Sequence, residues 1–525
     1  MSRVMILPSF GVWPMLEYEL DIVQRRIDSG DDIVWLMCEG NAPFCPANLK
    51  MKKRICMECK SRTQAGLKWL EHRGKLTVAS LYNLNNAQRD DTIIWAENTS
   101  NLPSDLASVD WYESSFSTLQ TTYKEFRPNL AKYDLIFRRM IIDFFQSYVA
   151  FQNNLHSYEP DEVWLFNGRI TRFRPALRTL QGRSSKFFVY EYPYQGFKRY
   201  LVVEGQYPHD FGFRSKTWKK NFDTHPLPLE KKLAIGNVWY QKRLARIPTN
   251  YEKVFSDLQI KNLLPRDWKS ARCNITVFNS SEWESAGVPE SRRWNYEEQY
   301  QAIERIAQDT KHLTNLHFTI RIHPQMQKND KLSSDKFLTL KRFSNISVLE
   351  PESKYDTYAL VTLSDIVITF YSLVGVESAW LGKKVICLGP APYQDFGCVY
   401  LPHTHDELME TLSNLEKFTD RFPPIEMRKQ GAQKFAFARL FSGTKPRYLV
   451  KNHFSRAMMR RKSVSISIRA ALPLYFLNRF IAFPINVVDT AKRVYSDPFL
   501  RKEIIQDPWS SIVRFLRDRI SGLTP

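Results

Sequence analysis

Ser372 and Glu377 stand five residues apart in a stretch, 364–390, that reads strand, tight turn, helix, loop, strand. Ile366 to Phe370 is an apolar β-type run, Tyr371 and Ser372 make the turn, and Val374 to Leu381 can be helical. Gly382 closes that helix and Val385 to Leu388 is the next buried strand. A helix that starts just after a parallel strand aims unpaired N–H groups and its positive dipole end at the sheet's C-terminal edge. Such an edge binds phosphate or diphosphate. Glu377, one turn into the helix, can accept hydrogen bonds from sugar hydroxyls beside that phosphate. An ordinary βαβ unit with a cap serine and a solvated glutamate would read the same way.

The segment resembles the nucleotide-sugar end of GT-B glycosyltransferases. It is most like those of bacterial capsule and surface-polysaccharide biosynthesis, where a turn Ser, a helix Glu and a following Leu-Gly-Lys (here Leu381-Gly-Lys383) recur together. The resemblance implies that Ser372, Gly375 and the helix N-terminus hold phosphate and that Glu377 takes ribose or sugar hydroxyls. Arg321-Ile-His-Pro324 resembles the "HP" element of such enzymes, with His323 facing the donor phosphates. A protonated His323, or Arg321, could neutralise the leaving diphosphate. Ser280, Ser281 and Glu282 resemble an "S-x-E" element that binds phosphate or the donor sugar; a helix N-cap accounts for the serines equally well. Tyr393, one strand on, can stack on the donor or simply belong to a loop.

In the first half, Asn167-Gly-Arg169, Glu191 and His209-Asp210 resemble, in order, the "NGR … E … HD" pattern of the same enzymes. The resemblance puts Asn167, Arg169 and His209 on the acceptor side. An inverting transfer needs a general base for the acceptor hydroxyl. Glu191 is the first candidate and Asp210 the second; Glu17 is a weaker one, a solvated helix acid being the plainer reading. An Arg169–Glu191 salt bridge is the structural alternative.

The elements that must position these residues form two series. Val4 to Leu7, a helix from Met15 to Ile27 and Ile33 to Met37 open a doubly wound parallel sheet. No G-x-G-x-x-G follows the first strand, which argues against a dinucleotide oxidoreductase. Residues 61–150 look mostly helical; Asp161 to Phe166 and Lys186 to Tyr190 are further strands. Residues 205–250 are polar and basic, with a connection near 245–270. The second series runs through Asn274 to Phe278, a helix from Tyr296 to Asp309, His317 to Ile322, Ile346 to Leu349 and the 364–390 segment, with closing helices near 405–445. The fold class expected is therefore α/β: an N-terminal Rossmann-like acceptor domain over 1–250, a nucleotide-sugar domain over 265–450, a cleft between them, and a basic amphipathic helical tail over 451–525.

The 525 residues carry 75 Lys+Arg against 55 Asp+Glu, a net charge of +20, which suits polyanionic partners. Residues 451–525 hold 14 Lys/Arg and 5 Asp/Glu, nearly half the excess. That tail can lie on an anionic membrane surface or pack back on the first domain. A hydrophobic content of 43% excludes wholesale disorder. No secretory signal or apolar stretch of membrane-spanning length is visible, and seven cysteines fit a reducing cytoplasm, with peripheral attachment to the inner face of the plasma membrane. Cys38, Cys45, Cys56 and Cys59 fall within 22 residues and could hold a structural Zn²⁺ or stand as free thiols. The resemblance implies no metal for catalysis. The partners expected are a nucleotide-sugar donor and a glycan or glycolipid acceptor, not nucleic acid. Two enzyme alternatives on the same fold are a polyol-phosphate transferase and a nucleotide-sugar 2-epimerase; a non-catalytic membrane- or RNA-binding scaffold is the third.

Overall fold

The computed structural model describes residues 1–12, 15–107, 110–183, 185–191, 199–247, 259–266, 268, 273–284, 287–288, 296, 298–326, 330–453, 456–460 and 465–467. They divide into two compact units. The larger, built from residues 1–9, 26–51 and 74–446, contains two α/β sheets. The first sheet has strands β1 (Arg3–Leu7), β2 (Asp32–Met37), β3 (Leu76–Ser80), β4 (Glu162–Phe166), β5 (Lys186–Glu191) and β6 (Leu201–Glu204), ordered β3-β2-β1-β4-β5-β6. All neighbours are parallel except β5 and β6. The second sheet has β7 (Cys273–Phe278), β8 (Leu316–Arg321), β9 (Ile346–Leu349), β10 (Ile366–Thr369) and β11 (Lys384–Cys387), ordered β11-β10-β7-β8-β9 and parallel throughout. In each, the chain winds outward on one side of the first strand and then returns to its other side. That is the doubly wound Rossmann order, with a switch point at β1/β4 and another at β7/β10.

The second sheet is covered on both faces, which is why its strands read as continuous apolar runs. Ile366 and Ile368 of β10 face one core with Ile275, Phe318 and Ile386, while Val367 between them faces another with Val385 and Phe435. The long helix Leu130–Tyr158 buries Phe137, Met140, Ile141, Phe144 and Phe145, a helical stripe, in a core shared with Leu119 and Phe44.

Three parts depart from the sequence reading. β3 lies in a stretch read as helical; it exposes Thr77 and Val78 and so lacks the alternation that marks a half-buried strand. Helices Phe211–Thr224 and Leu229–Leu244, in the stretch read as polar and basic within the first domain, bury Trp218, Phe222, Trp239 and Tyr240 in the second sheet's core. A few aromatic residues carry the burial of otherwise basic helices. Where a helical tail was expected, β12 (Leu449–His453), β13 (Arg456–Arg460) and β14 (Ser465–Ser467) form an antiparallel sheet. The alternation Val464-Ser-Ile-Ser-Ile468 already carries the strand period. Residues 468–525 lie outside those described.

The smaller unit comprises residues 10–25, 52–73 and those from 447 on. Glu17 is buried there and ion-paired with Arg62, not solvated. Asp21 accepts the backbone N–H groups of Arg447 (2.7 Å) and Tyr448 (2.6 Å). Cys56 and Cys59 lie on helix Lys53–Trp69, where the Cys59 thiol accepts the N–H of Gly11 at 3.1 Å. Cys38 and Cys45, in the larger unit, follow β2. Among the described residues no group of three or more His, Cys, Asp or Glu side chains could hold a metal ion. No helix among them is long and apolar enough to cross a membrane.

The loop after β4 rests on a buried polar network. Asp143, fully buried, accepts from the Tyr82 hydroxyl at 2.5 Å and the Thr171 hydroxyl at 2.8 Å, and Arg172 donates to the Tyr82 oxygen and the Phe44 carbonyl. Burial pushes the Asp143 carboxyl up while Arg172 pulls it down. Arg172→Met should cost about 3–5 kcal/mol, because it leaves the acid buried without its cation. Thermal and denaturant unfolding would read the loss, and it should shrink toward low pH as Asp143 takes up a proton. A variant as stable as the native chain contradicts this account.

Candidate functional site

β7 ends at Phe278 and β10 at Thr369, directly opposite each other. The chain leaves β7 toward β8 and leaves β10 toward β11, on the other side. The two loops therefore part and open a crevice at the carboxyl edge. It is a cavity of about 320 Å³, whose walls include Ser280, Ser281, Arg321, His323, Ser372 and Glu377. Six of the donor-side candidates thus come together, although up to 97 residues separate them in sequence.

The loops are fixed by cross-bonds. The Asn279 side-chain Oδ1 accepts the His323 backbone N–H at 2.8 Å, the Tyr371 hydroxyl donates to the Ser281 carbonyl at 2.7 Å, and the Ser280 N–H donates to the Gln299 side chain at 2.8 Å. The Ser280 hydroxyl is buried against the cavity and has no partner among the described residues. Ser372 caps helix Leu373–Trp380, its hydroxyl accepting from Val374 at 3.4 Å. Leu373 and Val374 of the first turn line the cavity. Gly375 does not. A Cβ there would sit 2.4 Å from the Tyr393 hydroxyl, so this glycine exists to let the helix lie against Tyr393. Tyr393 is itself fully buried, donating to the Ser372 carbonyl at 2.8 Å. It braces the turn from behind and, buried there, fits the loop reading and not that of a ring stacked on a ligand.

His323 is neutral, not protonated. Burial and the neighbouring Arg321 pull it down to about 4. Its Nδ1 accepts the Gln325 backbone N–H at 3.2 Å, which an amide can only donate, so the ring proton sits on Nε2. The Ser281 hydroxyl lies 3.3 Å from the same Nδ1. Arg321 is also committed: its guanidinium donates to the carbonyls of Glu350 (3.1 Å) and Ser353 (2.8 Å), holding the turn after β9 while one edge lines the cavity. Glu282 points elsewhere, capping helix Gln299–Asp309 through the Gln299 N–H at 2.7 Å, and burial lifts it to about 7.

Glu377 is buried, and both its oxygens are engaged. Arg243 donates from Nε at 2.5 Å and the Tyr358 hydroxyl at 3.1 Å. Arg243 stands 4.9 Å above the Trp239 ring, and Arg439 lies 6.0 Å from that ring. Arg243, Tyr358 and Arg439 line the cavity, as do Gln259 and Glu284, and sequence reasoning missed all five. Only the Trp239/Arg243 spacing, one helical turn, could have hinted at a cation held on an indole.

At the first sheet's switch point, Asn167 and Gly168 both have left-handed backbone, with φ of 61° and 72°. Asn167 donates to Glu191 at 2.6 Å, and His209 Nε2 lies 3.7 Å from the same carboxylate oxygen. Burial pulls His209 well below its ordinary range, aided by Arg169 and Arg214, so it too is neutral. Arg169 is buried and makes no salt bridge to Glu191; it donates to the Thr121 hydroxyl and to the carbonyl of Glu284. That last bond joins the carboxyl edges of the two sheets. Asp210 caps helix Phe211–Thr224 through the Phe213 N–H at 2.9 Å and is buried in that role, which removes it as the second base candidate.

No protein-family model matches the chain, and no curated protein matches its sequence. Similar solved structures include the KpsC β-Kdo 2,7 transferase of Thermosulfurimonas dismutans, at 12% identity over 62% of this chain and 87% of that one, TM-score 0.34. Others are UDP-GlcNAc 2-epimerase of Neisseria meningitidis bound to UDP-GlcNAc (12% identity, 84% and 98% covered, TM-score 0.29) and spinosyn rhamnosyltransferase SpnG (9%, 84% and 97%, TM-score 0.25).

A buried histidine whose folded pKa is depressed stabilises the fold above its unfolded value of about 6.5 and loses that contribution as pH falls toward 4. Unfolding curves between pH 7 and pH 4 should therefore show a slope that His323→Gln reduces by close to one proton. An identical slope in both proteins contradicts the burial of a neutral imidazole.

Proposed function

We propose that the chain transfers a sugar from a nucleotide-sugar donor to a glycan or glycolipid acceptor, with the donor seated in the cavity between the β7 and β10 loops. The observation that carries the reading is the convergence, on one crevice, of a capped helix N-terminus, a neutral imidazole with its proton on Nε2, an unpartnered buried serine hydroxyl and a pinned carboxylate. Each suits a different part of an activated sugar. The helix N-terminus and Ser280 suit the phosphates. The Nε2–H of His323 can donate to the phosphate oxygen on which charge develops as the glycosidic bond to phosphate breaks. Glu377, held in place by Arg243, suits a pair of hydroxyls. The arginines at the wall balance the donor's negative charge with the chain's own residues. Asn167, Arg169, His209 and Glu191 form the polar edge offered to the acceptor. An acceptor of surface-polysaccharide type, carried at an anionic lipid surface, fits the excess of Lys and Arg after residue 450.

A panel of nucleotide sugars should raise the melting temperature for one nucleotide series, since a ligand of the folded state stabilises it by mass action. Glu377→Gln should bind that nucleotide sugar roughly tenfold more weakly, the scale of a lost charged hydrogen bond. A 2′,3′-dideoxy analogue should lose about as much on the native chain and little more on the variant. Equal binding of the ribose and dideoxy forms to the native chain would remove Glu377 from ribose recognition and place it on the sugar. Stabilisation by no member of the panel would defeat the proposal.

A further inference from the structure

With Asp210 spent on a helix cap and Glu191 tied to the Asn167 amide, the acid best placed to take a proton beside the donor is one the sequence reading passed over. Glu284 ends the single 3-10 turn Glu282–Glu284 that follows β7. Its N–H donates to the Ser281 carbonyl at 3.1 Å, and its own carbonyl accepts from Arg169. The backbone of this residue is therefore held from both sheets, while its side chain is solvent-accessible and lines the donor cavity with His323 and Ser281. Protein crowds the carboxyl closely enough that desolvation lifts its pKa, against the pull of Arg169, Arg214 and Lys124.

We propose that Glu284 is the general base of the transfer, the deduction resting on the donor reading given above. The geometry that carries it is the position of Glu284 at the bond joining the two carboxyl edges, where an acceptor from the first sheet's side would meet a donor in the second. In the step, the acceptor hydroxyl oxygen attacks the anomeric carbon and its proton passes to the Glu284 carboxylate. The bond from the anomeric carbon to the phosphate oxygen breaks, and its electron pair leaves with the phosphate, which the helix N-terminus and the Nε2–H of His323 receive. A carboxylate with a raised pKa is a better base for this than an ordinary surface acid.

The test uses the full chain and the nucleotide sugar that stabilises it, with water and then azide as nucleophile, reading nucleotide release. Water must lose a proton to attack; azide need not. Glu284→Gln should lower release in water by roughly a hundredfold or more, the usual worth of a positioned base, while azide restores release toward the native level and nucleotide affinity stays within about twofold, a difference below 1 kcal/mol. Among the described residues only the backbone of Glu284 is bonded to other elements, so the variant should melt with the native chain; Glu284→Asp, which keeps the carboxylate, should retain part of the water reaction. Release in water unchanged in Glu284→Gln overturns the assignment and leaves the donor reading intact. Equal loss with water and azide makes Glu284 a positioning residue and also overturns it, as does the azide-rescued pattern appearing in Glu191→Gln instead. A native chain that neither binds nor turns over any nucleotide sugar removes the donor reading, and this base with it.

Discussion

β7 and β10 run parallel with Phe278 opposite Thr369, and the chain leaves the two strands in opposite directions. Everything at the site depends on that divergence. Two loops that cannot pack on each other leave a crevice, and the helix entered from β10 must begin at its rim. The cavity is thus a consequence of strand order before it is a matter of side chains. What the side chains add is rigidity. Asn279 ties the β8 turn to the β7 loop, Tyr371 ties the β10 turn to it, and Tyr393 supports the helix cap from below. Bonds of this kind hold polar groups in place before a ligand arrives, which lowers the cost of ordering them on binding.

Charge at the site follows the same logic. Glu377, Arg321, Arg169 and His323 all sit where water is scarce, and each has a different solution to that cost. Glu377 takes a cation and a hydroxyl. Arg321 spends its donors on two carbonyls, and Arg169 on a carbonyl and a hydroxyl. His323 gives up its charge altogether. A protonated histidine beside Arg321 would have to pay both desolvation and like-charge repulsion. The neutral ring keeps a directed donor at no such cost, and it can serve across the neutral pH range.

Much of this was legible in the chain. The β7–β11 series stood out because its strands are apolar on both faces, and the turn at Ser372 because a strand-to-helix junction has its own residue signature. Ser280, Ser281, Arg321, His323 and Glu377 could be placed at one edge for that reason alone. Arg243 and Arg439 could not, because they arrive from helices whose packing is set by scattered tryptophan and phenylalanine residues in basic sequence. Residue type also misled where backbone needs came first: Asp210 and Glu282 cap helices, and Gly375 and Tyr393 form one packing contact behind the wall.

The most direct measurement is a crystal structure of the full chain with a nucleoside diphosphate. The account predicts phosphate oxygens within hydrogen-bond distance of the Leu373 and Val374 backbone N–H groups and of His323 Nε2, with the ribose against Glu377. A nucleotide lodged at the β1/β4 edge beside Asn167 and Arg169, with the β7/β10 crevice left to water, would contradict it.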